Sequence, residues 1–261
     1  MSQSDQFNGR LGLIFASIGA AIGTGNIWRF PRMVGANGGG TFLIPWLIFL
    51  FAWSIPLVIA EYAMGKRSRT GTIGTFRIFA GRRFAWMGLW TAWISTAIGF
   101  YYAVVSGWTL KYFQLGITGA LNGEDVDTTE VWNAFLQSPG QVIFFQFVVI
   151  LLVLGTIWKG AKAIEKVNFY LMISLFALLF LTLFLSLWMD MSDGSLDGAL
   201  FMFTVDFDML LEPEVWINGL SQSAWSCSAG MGMCITYAVY MSKDEDTVLN
   251  AFTMGLSLIH I

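Results

Sequence analysis

Charged residues are scarce in this sequence. Only 12% of its 261 residues are Asp, Glu, Lys or Arg, whereas soluble domains carry roughly 25%. This scarcity argues against a soluble fold. The formal net charge of −3 provides no basic surface for a nucleic acid, so we expect no nucleic-acid partner.

Cysteine and histidine are almost absent. Cys227 and Cys234 lie in an apolar segment and provide no disulfide framework. They could share a helix face, which leaves a soft-metal site as a minor alternative. His260 is the single histidine, and Ser226 and Ser228 have no candidate base nearby. The sequence contains no HExxH zinc motif. We therefore predict that the protein is not an enzyme.

Apolar and aromatic residues are abundant. The chain is 56% hydrophobic, with 12 Trp and 23 Phe, and aromatic residues concentrate at membrane interfaces. A spanning helix needs about 20 mostly apolar residues. Six stretches meet that requirement, and we number them as spans 1 to 6: about 11–35, 41–64, 85–115, 140–158, 167–189 and 215–240. The sequence therefore predicts an all-α polytopic membrane protein.

The distribution of Lys and Arg predicts the orientation of the spans. Loop 65–84 holds six basic residues and no acid, and loop 159–166 holds three Lys against one Glu. Segments 116–138 and 190–214 hold acids and no Lys or Arg. Because basic loops stay in the cytoplasm, six crossings from a cytoplasmic N-terminus (1–10, too polar for a signal peptide) place both basic loops inside and both acidic segments outside.

Span 1 carries residues that interrupt a helix. Gly19, Gly23 and Gly25 precede Asn26, and each glycine costs a helix interior about 1 kcal/mol. An unwound stretch would expose carbonyls to a cation and free N–H groups to an anion. The alternative is close helix packing through the small-residue motif Gly19-x-x-x-Gly23. That alternative does not explain Asn26 or Arg29.

Span 6 repeats this pattern. Gly230 and Gly232 follow a run of polar side chains, namely Gln222, Ser223, Ser226 and Ser228. Serines in membrane helices often bond only to their own backbone, but hydroxyls placed together with two glycines favour a second break. Interrupted spans at matching positions of two halves indicate a transporter site.

The motifs give the chain a specific resemblance. "GNIWRFP" (25–31), "NGGG" (37–40) and "EYAMG" (61–65), with "YY" (101–102), "IEK" (164–166) and "ITY" (235–237), resemble the neurotransmitter:sodium symporter family. The resemblance implies a LeuT-like first five-helix repeat (11–189), an acidic extracellular loop (190–214), and a broken helix 6 (215–240). Residues 241–255 would form an inner loop and the start of helix 7. The resemblance covers the first half of the family's two-repeat architecture.

The resemblance also implies site residues. One sodium ion would bind the Ala21 carbonyl, the Asn26 side chain and the Ser226 hydroxyl. A second would bind the carbonyls of Gly19 and Ile22. The substrate pocket would be formed by Ala21, Thr24, Gly25, Ile98, Tyr102, Trp225, Ser226, Ser228 and Met231. Arg29 would form an outer gate with an acid on a helix outside this chain, and Glu61 is expected to be a helix-packing or helix-end carboxylate.

The resemblance implies a sodium-coupled symporter that imports an amino acid or a related small amine. A zwitterion is favoured, since the visible pocket contains no acid. The alternative is a solute-binding membrane sensor without net transport. We expect a bacterial-type inner membrane location. The oligomeric state is open, with a homodimer as one option, and so is chloride dependence.

Residues 256–261, "LSLIHI", resemble a translated sequencing adapter, the alternative being a natural hydrophobic C-terminus. We assign no chemistry to His260, which lies in this segment. Sodium ligands expected on helices 7 and 8 are not in the sequence. We therefore expect a fragment that does not transport by itself.

Overall fold

The computed structural model describes residues 25–123, 126–158, 160–192 and 196–257, and within these ranges the backbone forms helices and turns and no strand. A π-helical turn, Gly25–Arg29, leads into the first α-helix. The α-helices are α1 Phe30–Ala36, α2 Gly40–Phe49, α3 Ile55–Ser68, α4 Thr72–Phe79, α5 Ala85–Ile117, α6 Thr128–Leu136, α7 Pro139–Ile157, α8 Ala161–Ser192, α9 Asp197–Phe203, α10 Pro213–Cys227, α11 Met233–Val239 and α12 Thr247–Ser257.

Four helical stretches are long and apolar enough to cross a membrane, judged by length and composition: Gly40–Ser68, Arg82–Ile117, Pro139–Ile157 and Ala163–Ser192. They overlap predicted spans 2 to 5. Helix α5 has 33 residues and is about 50 Å long at 1.5 Å per residue, which exceeds the roughly 30 Å of hydrocarbon. Its length therefore requires a tilt or an end outside the bilayer.

Span 2 is one helical run with an irregular middle. The π-helical turn Leu50–Ser54 joins α2 to α3, and Pro56 lies in the first turn of α3. Proline lacks an N–H and its ring collides with the carbonyl four residues earlier. A wider turn just before Pro56 relieves that collision, which explains why the irregularity lies there.

Span 6 packs along the whole length of span 2. Its first half, α10, lies on α2 and its second half, α11, lies on α3. Two glycines permit the contact: a Cβ on Gly219 would lie 3.0 Å from Pro45, and one on Gly65 would lie 2.3 Å from the Ile235 carbonyl oxygen. Small residues let membrane helices approach closely, so these glycines determine how near the two spans lie.

The acidic segment between spans 5 and 6 is folded. It contains α9 and the 3₁₀ turn Met209–Leu211, where the sequence predicted a loop. The Thr41 hydroxyl accepts from the Asp206 N–H at 2.8 Å, and a Cβ on Gly39 would lie 2.1 Å from the Phe201 carbonyl oxygen. The segment therefore covers the start of α2.

The last described helix, α12, packs on α3. Leu256 and Ser257 continue α12, and residues 258–261, with His260, lie outside the described residues. Helix α7 contains no buried residue, so its apolar side chains are available to lipid or to further helices.

Candidate functional site

Span 6 breaks where its two glycines predict a break. Helix α10 ends at Cys227, and α11 starts at Met233. Between them Ser228, Gly230 and Gly232 have φ of 50°, 81° and 75°, a left-handed conformation that glycine adopts at little cost. The break leaves backbone groups without helical partners at mid-span. This confirms the predicted interruption of the sixth span.

Glu61 contacts the break from the neighbouring span. Its Oε1 accepts from the Gly232 N–H at 3.2 Å, and the residue is only 5% exposed. A carboxylate beside the first N–H groups of α11 satisfies a donor that the break leaves free. Glu61 lies inside α3, so its partner is the other span and not its own helix end. The sequence suggested helix packing, and the contact with the break was missed.

A hydrogen-bonded series joins spans 1 and 6. Arg29 Nη1 donates to Gln222 Oε1 at 2.7 Å, Gln222 Nε2 donates to Ser226 Oγ at 3.1 Å, and Ser226 Oγ donates to Asn26 Oδ1 at 2.9 Å. Gln222 and Ser226 are 0% and 2% exposed. Each polar group is thus satisfied by another one, as a buried polar cluster requires. We call these four residues the Arg29–Asn26 series.

The series connects Arg29, which the resemblance assigns to the outer gate, with Asn26, which it assigns to a sodium site. Gln222 uses its carbonyl oxygen towards Arg29 and its amide nitrogen towards Ser226. Sequence analysis placed Gln222 only among the polar residues before the break. The signal that could have identified it is its position one helical turn before Ser226, which puts both side chains on one face.

A second contact joins the same two spans further along. Asn37 Nδ2 donates to the Met33 carbonyl oxygen at 2.7 Å, and Asn218 Nδ2 donates to Asn37 Oδ1 at 2.9 Å. The first residue of the NGGG motif therefore closes the end of α1 and binds α10. Gly38 and Gly39, which follow it, have φ of 74° and 61°, so the turn requires glycine.

Helix α5 approaches the break from another direction. The Ser95 hydroxyl donates to the Met231 carbonyl oxygen, within the broken segment. Ile98 and Tyr102 follow Ser95 by three and seven residues and therefore share its helix face. The Tyr102 ring packs edge-on against Tyr101, with centroids 5.7 Å apart. Residues 98 and 102 thus lie on the side of α5 that contains the contact with span 6.

Of the remaining predicted site residues, four lie outside the described residues and three are described. Gly19, Ala21, Ile22 and Thr24 lie outside the described residues. Gly25 starts the π-helical turn, and Ser228 is buried in the break. Trp225 lies two residues before the end of α10 and is 39% exposed. The prediction of a break at Gly19 and Gly23 in span 1 thus lies outside the described residues.

The donors that converge here are neutral oxygens. They are the Asn26 amide oxygen and the Ser226 hydroxyl, which lie 2.9 Å apart. Within the described ranges, no three His, Cys, Asp or Glu residues cluster. Neutral oxygens suit hard cations, whereas soft metals select thiolates. Cys227 and Cys234 are buried free thiols on either side of the break.

Comparisons with known proteins agree with this architecture. The model of the sodium:neurotransmitter symporter family matches residues 4–135 and 135–259. The chain is 34% identical to the uncharacterized sodium-dependent transporter MJ1319 of Methanocaldococcus jannaschii, and the match covers 97% of this chain and 53% of the relative. It is 31% identical to the sodium-dependent neutral amino acid transporter SLC6A17 of Rattus norvegicus, with 94% and 37% covered.

A solved structure resembles the fold closely. The crystal structure of MhsT in complex with L-phenylalanine superimposes with a TM-score of 0.86 at 32% identity, and the match covers 98% of this chain and 58% of that one. The chain thus spans about half the length of MJ1319 and MhsT, and less of SLC6A17.

Proposed function

Because the chain belongs to the sodium:neurotransmitter symporter family, we propose that it forms the ion- and substrate-binding half of a sodium-coupled amino acid symporter. The family consists of transporters and not enzymes. The observation that carries the proposal is the contact of Asn26 with Ser226, which joins the two spans that the sequence predicts to be interrupted.

The donor set fits a sodium ion. Asn26 and Ser226 supply an amide oxygen and a hydroxyl, and both are buried, so a cation there would exchange water for protein oxygens. The predicted carbonyl ligands are Ala21 in the same site and Gly19 and Ile22 in the other. A bound sodium ion would supply positive charge beside the substrate carboxylate. The protein would hold that charge in place at the junction of spans 1 and 6.

The substrate class follows from the predicted pocket residues, since Glu61, the acid that contacts the break, already accepts from the Gly232 N–H. The predicted pocket residues that the structure describes (Gly25, Ile98, Tyr102, Trp225, Ser226, Ser228 and Met231) include no acid that could pair with an amine. A zwitterion brings its own carboxylate to the sodium ion, so a neutral amino acid fits better than a carboxylate-free amine. SLC6A17 is named a neutral amino acid transporter, and MhsT was crystallised with L-phenylalanine.

Coupling would act by linkage. If sodium tightens substrate binding, the substrate tightens sodium binding by the same factor. Arg29 would form the outer gate with an acid outside this chain, and Gln222 would hold its guanidinium in place within the Arg29–Asn26 series. We further propose that loops 65–84 and 159–166 face the cytoplasm of a bacterial-type inner membrane, with the N-terminus on the same side.

The test is binding of radiolabelled L-phenylalanine by the complete product of the gene, compared in sodium chloride and in potassium chloride. We expect saturable binding only in sodium, and we expect Asn26→Ala to abolish it while the protein still inserts. Equal binding by Asn26→Ala would remove Asn26 from the site. Saturable countertransport in vesicles then separates transport from binding alone, because a sensor binds without exchange.

A further inference from the structure

The basic end of α3 borders a cavity of about 410 Å³ that the symporter function does not use. It is lined by Ala63, Lys66, Arg67, Arg69, Lys243 and Thr247. Three of the four cations, Lys66, Arg67 and Arg69, lie in the last turn of α3 or just after it. The fourth, Lys243, lies in the loop between α11 and α12. The lining contains no acid, so the cavity has an unbalanced positive charge.

Two of these cations are held in place by backbone oxygens at the end of α11 and in the loop that follows it. Lys66 Nζ donates to the Glu245 carbonyl oxygen at 2.5 Å, and Arg69 donates to the carbonyl oxygens of Val239 and Met241. A carbonyl satisfies a donor but brings no negative charge, so these contacts leave the positive charge of the cavity unbalanced. They form a fixed wall of the cavity.

The other two cations are free. Arg67 and Lys243 are exposed, and neither has a hydrogen-bond or ion-pair partner within the described part of the chain. Free cations from α3 and from the α11–α12 loop that line one preformed cavity suit a ligand with several anionic oxygens, since Arg can bind two of them at once and Lys a third.

Two of the three acids in the loop that carries Lys243 contact α12. Asp246 Oδ1 accepts from the N–H groups of Val248 and Leu249 at 2.9 and 3.0 Å, where it caps α12. Glu245 Oε2 accepts from Asn250 Nδ2 at 3.2 Å. Both carboxylates thus serve α12, and neither lines the cavity. The third acid of the loop, Asp244, is exposed and does not line the cavity either.

We infer that this cavity binds the phosphate headgroup of an anionic phospholipid in the cytoplasmic leaflet. Basic pockets at the cytoplasmic ends of membrane helices attract such headgroups, and the proposed orientation places this end of α3 in that leaflet. A bound lipid would join the end of span 2 to the loop that leads from span 6, and so hold together two elements that border the break.

The experiment uses the chain purified in detergent, with retained lipids counted by native mass spectrometry during titration with phosphatidylglycerol. The test variant is Arg67→Gln with Lys243→Gln. The control is Arg82→Gln with Arg83→Gln, which removes two exposed arginines from the same basic loop but outside the cavity. Both variants change the net charge by the same amount. All four positions are exposed, and thermal unfolding checks that each variant folds.

We expect one phosphatidylglycerol to bind the native chain and the control at the same concentration, and phosphatidylcholine to bind neither tightly. The cavity variant should need about 30-fold more lipid, which corresponds to two lost cations at a membrane surface. An equal loss in both variants would overturn the inference, since it would show diffuse attraction. Complete displacement by millimolar inorganic phosphate would also overturn it, because the ligand would then be a free anion.

Discussion

The Ser226 hydroxyl makes two hydrogen bonds at the junction of spans 1 and 6. Its hydroxyl accepts from Gln222 and donates to Asn26, so the proposed ion site and the proposed gate residue meet through one oxygen atom. A hydrogen bond of this kind contributes about 1 kcal/mol, and more when its loss leaves a buried partner unsatisfied.

Replacing Ser226 by Ala should therefore weaken sodium binding. We expect the sodium concentration that gives half-maximal substrate binding to rise about tenfold, because one ligand is lost and Gln222 loses its acceptor. Ser226→Thr keeps the hydroxyl and should bind sodium nearly as the native protein does. The measurement is radioligand binding against sodium concentration.

The matched control for this prediction is Ser174→Ala. The Ser174 hydroxyl bonds only to the Tyr170 carbonyl one turn earlier in α8, which is the arrangement that membrane serines commonly adopt. Its loss should leave sodium dependence unchanged. An unchanged half-maximal concentration in Ser226→Ala would contradict the proposed ligand.

At the scale of the helical element, the break in span 6 depends on glycines of two kinds. Gly230 and Gly232 both have positive φ, but their surroundings differ. A Cβ on Gly230 would lie 3.5 Å from Leu57, an ordinary contact, whereas one on Gly232 would lie 2.6 Å from Thr72 Cγ2. Position 230 therefore requires only a residue that tolerates positive φ. Position 232 also requires a residue without a Cβ.

Alanine at these two positions should separate the two effects. Both variants bear the cost of a left-handed residue, about 1–2 kcal/mol, and Gly232→Ala should lose about 1–3 kcal/mol more through the collision. Thermal unfolding in detergent measures the difference. Adding Thr72→Ser removes Cγ2 and should restore much of the extra loss. Equal melting temperatures for Gly230→Ala and Gly232→Ala would contradict this account.

A pair of buried hydroxyl groups joins spans 2 and 6. Ser54 Oγ and Ser223 Oγ lie 2.6 Å apart, and both side chains are fully buried. Ser54 is the last residue of the π-helical turn in span 2. The irregular turn thus ends on the residue that binds α10.

A double-mutant cycle on Ser54→Ala and Ser223→Ala should give a coupling free energy of about 0.6 kcal/mol and at most about 1.7 kcal/mol, the range for hydrogen bonds between membrane helices. The measurement is unfolding by titration with a denaturing detergent. Additive losses would show that the two hydroxyls stabilise their spans independently.

The orientation of the whole molecule rests on its basic and acidic loops. Ala80 and Ala120 are both exposed just beyond a helix end, one in the basic loop and one in the acidic segment. Introduced there singly, Ala120→Cys should react with a membrane-impermeant maleimide on intact cells, and Ala80→Cys only after lysis. Cys227 and Cys234 are buried and should provide little background. The reverse pattern would invert the proposed topology.

The sequence predicted the position of the span 6 break because Gly230 and Gly232 make a helix costly whatever surrounds them. It also predicted the helices of spans 2 to 5, since long apolar stretches can be identified from composition alone. It did not reveal that Gln222 accepts from Arg29, 193 residues away, or that Glu61 accepts from the Gly232 N–H, 171 residues away. Distant contacts leave no periodic pattern in a single sequence.

Composition and local pattern by themselves determined that the protein is helical, that it enters a membrane and where a helix must break, since each depends on neighbouring residues and on the solvent. Only the tertiary structure decided how the polar residues pair. The close approach at Gly65 and Gly219 brings spans 2 and 6 together, and that approach determines which buried donor meets which acceptor.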